Sequence, residues 1–179
     1  MRQRFYFCPK CGGRLEIMPR HGRLRLICQS CSYVMYENPV VGVAAIVWQE
    51  GKILLGRRGK DSTYPGLWCI PCGYVEYDED VHDAIIREFK EETGLHITLE
   101  RVFTVQSNFH NPESHTVGIW FIASVVGGKL CPGDDIDKVE YYPLDQIPAL
   151  AFPTDAVVIR RLRENEDKPT QKNGKEVDS

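Results

Sequence analysis

The sequence predicts an α/β sandwich preceded by a small module with its own cysteine framework. Apolar strand-like runs alternate with two helical segments, a pattern that fits neither an all-α nor an all-β fold. Two Cys-x2-Cys knuckles lie within the first 36 residues, and charge is divided unevenly along the chain. Residues 1–36 carry seven basic residues (Arg2, Arg4, Lys10, Arg14, Arg20, Arg23, Arg25) against the single acid Glu16, whereas the remainder has 15 basic and 24 acidic residues. A chain of 179 residues can bury one core of ordinary size and still carry a small extra module.

The knuckles Cys8-Pro-Lys-Cys11 and Cys28-Gln-Ser-Cys31 are separated by 16 residues. Each bends two thiolates toward one point, and four thiolates at about 2.3 Å satisfy a tetrahedral zinc ion. Cys8, Cys11, Cys28 and Cys31 are therefore the expected zinc ligands of a ribbon over residues 1–36. So short a stretch has too little core to fold alone, and zinc binding supplies the missing free energy. Its basic excess fits a nucleic-acid-binding ribbon. Two features favour a structural ribbon or a dimer contact instead: an all-thiolate site has no open position, and no basic run interleaves with stacking aromatics. Nucleic acid is accordingly disfavoured as a partner, and a homodimer is left open.

Tyr36-Glu37-Asn38-Pro39 marks the boundary to a domain expected over residues 37–163. Val40–Val47 and Lys52–Arg57 read as a hairpin of buried strands joined through Trp48-Gln-Glu-Gly51. Tyr64-Pro-Gly-Leu-Trp68 is a turn into another extended stretch. The knuckle-like Cys69-Ile-Pro-Cys72 lies there with no helix N-terminus to lower a thiol pKa, and reads as structural free thiols, as does Cys131. A helix is expected from about Asp80 to Thr93, with Asp78, Glu79 and Asp80 at its start and Gly94 as its cap. Strands follow at Val102–Gln106 and Thr116–Val126, then a helix from Pro153 or Thr154 to Arg163. Residues 164–179 are mixed in charge and too poor in apolar side chains to order themselves.

The N-terminus has no apolar signal-type region, and the longest apolar runs fall short of the ~20 residues that a membrane helix needs. The expectation is a soluble, cytoplasmic protein with no membrane partner, whose seven cysteines serve as metal ligands or free thiols before disulfides.

The stretch Arg87-Glu-Phe-Lys-Glu-Glu-Thr-Gly94 places Glu88, Glu91 and Glu92 within about one helical turn. Like charges at this spacing cost a few tenths of a kcal/mol per pair. With Glu88 at 0° on a wheel of 100° per residue, Glu91 and Glu92 fall at about 300° and 40°, and Ile85, Phe89 and Ile86 span about 60° to 160°. The carboxylates are thus expected on one rim beside the apolar arc, with Arg87 able to fix one of them by paired hydrogen bonds. Hard oxygen ligands so gathered suit Mg²⁺ or Mn²⁺, particularly when substrate phosphates complete the shell.

Gly73, Glu79 and the run Arg87–Leu95 match every fixed position of GX5EX7REUXEEXGU, with U an aliphatic or aromatic residue. In this the chain resembles the Nudix hydrolases, with a four-cysteine zinc ribbon ahead of the domain. The resemblance implies an α/β/α sandwich around a mixed sheet and hydrolysis of a nucleoside diphosphate linked to another moiety. It further implies Glu88 and Glu92 as Mg²⁺ or Mn²⁺ ligands, Glu91 as a further ligand or water-positioning group, and Arg87 with Glu79 as the pair that orients them. The backbone carbonyl of Gly73 would join the metal shell.

A ribbon ahead of such a domain is similar both to NADH diphosphatases and to shorter ADP-ribose and FAD diphosphatases. The former carry SQPWPFPxS after the box, whereas Val105–Thr116 reads VQSNFHNPESHT here. Pro112 lies near the place where ADP-ribose hydrolases keep a proline. The expected substrate is therefore of ADP-ribose or FAD type, with NADH cleavage and removal of oxidised nucleoside triphosphates as alternatives. An alternative of another class is a nucleotide-sensing, nucleic-acid-binding regulator. Glu113, His115, Asp134, Asp135 and Glu140 are candidate bases or extra ligands.

Overall fold

The structure is a computed structural model and describes residues 3–166. Two compact units meet in sequence at Pro39 and Val40. Of the tail expected to lack order, Glu164–Glu166 close the last helix, and the rest lies outside the described residues.

The N-terminal unit is an antiparallel sheet of β1 (Leu15–Arg20), β2 (Arg23–Cys28) and β3 (Val34–Met35), in that order. His21 and Gly22 both have positive φ (48° and 75°) and join β1 to β2 in a two-residue turn whose twist suits the hairpin. The core consists of Cys8, Leu15, Leu26 and Cys28, with Ile17 and Met35 packed against it. So little apolar surface leaves the fold dependent on its cysteines.

The second unit is built on a mixed sheet. Its strands β4 (Val40–Gln49), β5 (Lys52–Arg58), β8 (Leu95–Asn108), β9 (Thr116–Gly128) and β10 (Ile136–Pro143) run in the order β10-β5-β4-β9-β8. Short strands β6 (Trp68–Cys69) and β7 (Cys72–Tyr74) add to β5 and β4, and the β4–β9 pairing is parallel. Helices α1 (Val81–Thr93) and α2 (Pro153–Glu166) pack on opposite faces. Strand alternation explains the two cores. Val43, Ala45 and Val47 of β4 join Phe121, Ile85 and Phe89 under α1, while Ala44 and Ile46 join Trp120, Val158 and Ile159 under α2. The central strand therefore has to be apolar at consecutive positions, as its sequence is.

Three elements depart from expectation. β8 begins at Leu95, seven residues before the expected Val102. Its apolar alternation is interrupted by register shifts at His96/Ile97, Leu99/Arg101 and Val102/Thr104, which erase the period-2 signal without ending the pairing with β9. β10 was not expected. It reads IDKVEYYP, polar at several positions, and also carries a register shift, between Ile136 and Lys138. α2 runs three residues past Arg163.

α1 starts with Asp80, whose carboxylate accepts from His82 N–H, and stops at Gly94 in the left-handed region (φ 71°). A Cβ at Gly94 would lie 2.5 Å from the Lys129 carbonyl oxygen, so glycine is required by both conformation and space. Phe89 is fully buried between α1 and the sheet. Truncating it to alanine is expected to cost about 3–5 kcal/mol, read as a lower urea midpoint with an unchanged m value.

Candidate active site

α1 and the segment after β6 build the site. Glu92 is 1% exposed and its Oε2 accepts from the Cys72 backbone N–H at 2.8 Å, which ties the helix to β7. Glu88 packs against Gly73 so closely that a Cβ there would fall 2.0 Å from the Glu88 carboxyl carbon. Glycine at 73 is what lets the carboxylate lie on the strand. Arg87 makes two bonds of 2.8 Å to Glu79, and its Nη1 contacts Glu88 Oε1 at 2.9 Å and Glu91 Oε2 at 3.1 Å. One guanidinium thus holds three carboxylates, and also donates to the Tyr74 carbonyl.

This geometry corrects the helical wheel. The three glutamates do not share one rim: Glu91 is exposed, Glu88 is half-buried and Glu92 lies inside the core. Ile86, expected in the apolar arc, is 38% exposed. The buried face is shifted by about 50° on that wheel and contains Ala84, Ile85, Phe89, Glu92 and Thr93. A carboxylate therefore occupies a position that packing alone would give to an aliphatic side chain.

A cavity of about 550 Å³ opens on Gly73, Glu88 and Glu92. Its walls carry six carboxylates (Asp61, Glu88, Glu92, Asp134, Asp135, Asp155) and a single guanidinium, Arg58. Arg58 is already engaged: Nη2 meets Asp135 Oδ2 at 2.8 Å, Nε donates to the Thr63 carbonyl at 2.9 Å, and the guanidinium lies 5.5 Å from the Phe152 ring centre. Tyr64, His110 and Phe152 line the same cavity with ring centres 5.9 to 6.2 Å apart. Tyr64 has φ 61°, an uncommon conformation for a bulky residue.

Burial dominates the electrostatics. It raises the Glu92 pKa well above the usual carboxylate range, with Cys72 and Asp135 adding to the effect, and it raises Glu88 against the opposing pull of Arg87. Glu79 moves the other way because Arg87 donates to it. Cys72 is pushed up by its hydrogen bond with Cys69 and by burial, which fits an unreactive thiol. Asp155, fully buried at the start of α2, accepts from Ile70 N–H at 3.0 Å. Burial lifts its pKa to about 7, opposed by that N–H and by the Trp120 indole N–H, which faces the same carboxyl outside hydrogen-bond geometry.

Glu88, Glu92 and the Gly73 carbonyl are the oxygen donors here that could hold a divalent cation. The donor set suits one: two carboxylates whose charge burial disfavours, one packed on Gly73 where a side chain has no room and the other bonded to the neighbouring Cys72 N–H. Of the candidate bases, Asp134 and Asp135 line the cavity, whereas Glu113, His115 and Glu140 are not among its lining residues. Glu140 is bound to Lys138 at 2.6 Å and accepts from the Tyr142 hydroxyl. Arg58, Tyr64, Phe152 and Asp155 were not singled out by sequence. Their only local signals were the Tyr64-Pro-Gly turn and an acid just inside the last helix.

In the ribbon, the Sγ atoms of Cys8, Cys11, Cys28 and Cys31 all lie within 4.8 Å of one another, as a four-thiolate metal site requires. The thiols share protons: burial raises Cys28, but the backbone N–H groups of Cys31 and Ser30 bring it down to about 6, while Cys11, despite the Gly13 N–H, is pushed up to about 12 by Cys31 and Cys28.

The NUDIX domain family model matches residues 38–162. The chain belongs to the Nudix hydrolase family. The model described as Nudix N-terminal, a zinc ribbon, matches residues 6–37. An ADP-ribose pyrophosphatase of Methanocaldococcus jannaschii is 38% identical over 132 residues, covering 73% of this chain and 78% of that protein. The NAD-capped RNA hydrolase NudC of Vibrio atlanticus is 29% identical over 166 residues, 92% of this chain but 58% of that protein. The chain therefore spans little more than half of that relative's length. Among solved structures, a NUDIX hydrolase from Nitrosomonas europaea superimposes with TM-score 0.79 at 28% identity, covering 92% of this chain and 95% of that one. No helix among the described residues is long and apolar enough to cross a membrane.

The buried Asp155 gives this Nudix hydrolase a pH signature. Between the unfolded value of 3.8 and about 7 the folded state holds a proton that the unfolded state has released, so this contribution is full below pH 3.8 and is lost as pH rises toward 7. Asp155→Asn should remove up to about 1.4 kcal/mol per pH unit of that slope, measured by urea unfolding from pH 4.5 to 7.

Proposed function

We propose that this Nudix hydrolase is a divalent-cation-dependent diphosphatase that cleaves a nucleoside diphosphate linked to another moiety, of ADP-ribose or FAD type. The observation that carries the reading is the imbalance of the cavity: even with Glu92 and Asp155 holding protons, the carboxylates of Asp61, Glu88, Asp134 and Asp135 face one guanidinium, already paired with Asp135. A pyrophosphate cannot enter such a cavity on Coulombic grounds unless cations enter with it. When bound, Mg²⁺ or Mn²⁺ would neutralise phosphate oxygens and acidify a water molecule.

The chain's own residues supply the rest. Glu88, Glu92 and the Gly73 carbonyl would hold the cation, with Glu91 as a further ligand or as the group that positions water. Arg87, anchored by Glu79, would set the carboxylates and release Glu91 when a cation takes its place. Tyr64, His110 and Phe152 form an aromatic wall that suits the flat base of a nucleotide. The 38% identical relative named as an ADP-ribose pyrophosphatase supports the substrate class. Water adds across the pyrophosphate bond of ADP-ribose to give AMP and ribose 5-phosphate, each taking one phosphate.

A second reading, cleavage of an NAD(H)-type pyrophosphate, is favoured by the relatives named as NAD-capped RNA hydrolases. Against it stands Val105–Thr116, which lacks the SQPWPFPxS array.

Purified full-length protein should convert ADP-ribose or FAD to AMP in the presence of MgCl2 or MnCl2, and chromatography of the monophosphates separates these substrates from NADH and nucleoside triphosphates. Glu92→Gln should lower kcat by at least about a hundredfold, the scale for removing a charge stabiliser. Glu140→Gln, outside the cavity, should leave it within about twofold. Unchanged turnover in Glu92→Gln would remove the proposed role of that carboxylate.

A further inference from the structure

The ribbon sequence has no basic run interleaved with aromatics, but the sheet makes that arrangement in space. Ladder partners share a face, and so do residues two apart along a strand. The pairs Arg20↔Arg23 and Met18↔Arg25 therefore lie on one face of the β1–β2 hairpin, while Leu15, Ile17, Leu26 and Cys28 lie on the other, toward the small core. Arg20 and Arg23 are exposed and Arg25 is half-buried. Among the described residues none of the three has an ion-pair partner. Arg25 instead lies over the ring of the exposed Tyr36, 5.0 Å from its centre.

Like charges directly opposite in a ladder destabilise it, and Arg20 faces Arg23 beside the turn with no acid to relieve the repulsion. The one acid on this face, Glu16, sits at the far end opposite Ile27. A polyanion spanning the hairpin would relieve the repulsion. A second copy of the same face would not, because a two-fold contact would set guanidinium against guanidinium.

We propose that this face of the ribbon binds single-stranded nucleic acid, a function separate from the hydrolytic cavity. Arg20, Arg23 and Arg25 would contact successive phosphates, since guanidinium forks match phosphate oxygens and the strand sets Arg23 and Arg25 about 6.6 Å apart. Tyr36, backed by Arg25, offers a ring for base stacking. The occupant is a strand and not a lipid surface because the face presents an aromatic ring among charges and lacks a continuous apolar wedge. Recognition is sequence-tolerant, with no base-edge reader on this face.

The test is fluorescence anisotropy of a 5′-labelled 12-nucleotide single-stranded RNA with zinc-loaded full-length protein. Three phosphate contacts give a log–log salt slope of about −2, so affinity should fall about twentyfold between 50 and 200 mM salt. Substituting glutamine for Arg20, Arg23 and Arg25 together should weaken binding at 50 mM salt by at least about tenfold and flatten that slope. The three lysine substitutions should keep the slope, and Tyr36→Ala should weaken binding with the slope unchanged. The glutamine variant should keep its zinc and its diphosphatase rate, which separates this proposal from the catalytic one. Absence of RNA binding by the wild type, a glutamine variant that retains zinc and binds equally well, or binding of phosphatidylserine vesicles without RNA would each overturn it.

Discussion

Everything in the catalytic unit is arranged around a buried carboxyl group to which the described residues offer no cationic partner. Glu92 sits in the core beneath α1, its carboxylate held by one backbone N–H. Glu88 lies a turn away on the bare Cα of Gly73. Burying a carboxylate without a full partner costs several kcal/mol, and an aliphatic side chain at 92 would pack better. In the proposed account a cation compensates for that cost. Arg87 is the counterweight the chain does encode, but its guanidinium is divided among Glu79, Glu88 and Glu91.

The same constraint extends to the strand beside the site. The segment from Ile70 to Gly73 is held from both faces of the sheet: Glu92 of α1 takes the Cys72 N–H, and Asp155 of α2 takes the Ile70 N–H. Two buried carboxyls, each with a raised pKa, thus position the strand that carries Gly73. Both favour a proton over a charge in the isolated chain. They differ in their neighbours: Glu92 lies one helical turn from Glu88, whereas Asp155 has the Ile70 N–H and the indole of Trp120.

Much of this was legible in the sequence because the constraints are local. The helix of residues 81–93 follows from its acid cap, its apolar spacing and its αL glycine. The four cysteines of the ribbon follow from knuckle spacing, and the pairing of Arg87 with Glu79 was implied by family resemblance. Depth was less legible. A wheel places Glu88, Glu91 and Glu92 by angle but says nothing about how close the sheet lies, so one ended in the core and one in solvent. The cavity wall was hidden for the same reason. Arg58, Tyr64, Phe152 and Asp155 come from separate parts of the chain, and only the sheet order brings them together. The first half of β8 carries no period-2 signal because register shifts destroy alternation while leaving the ladder intact, and the basic face of the ribbon has no linear signature because alternation across a hairpin interleaves residues that are not adjacent in sequence.

Calorimetric titration of Mn²⁺ into the zinc-loaded protein tests the central claim most directly. If the buried glutamate pair gives up protons when a cation binds, wild type should bind Mn²⁺ with an enthalpy that varies with the ionisation heat of the buffer, and Glu92→Gln should bind more weakly and release fewer protons. Wild-type protein that takes up no Mn²⁺ at millimolar concentration, or a Glu92→Gln variant with the same affinity and the same proton release, would contradict the account.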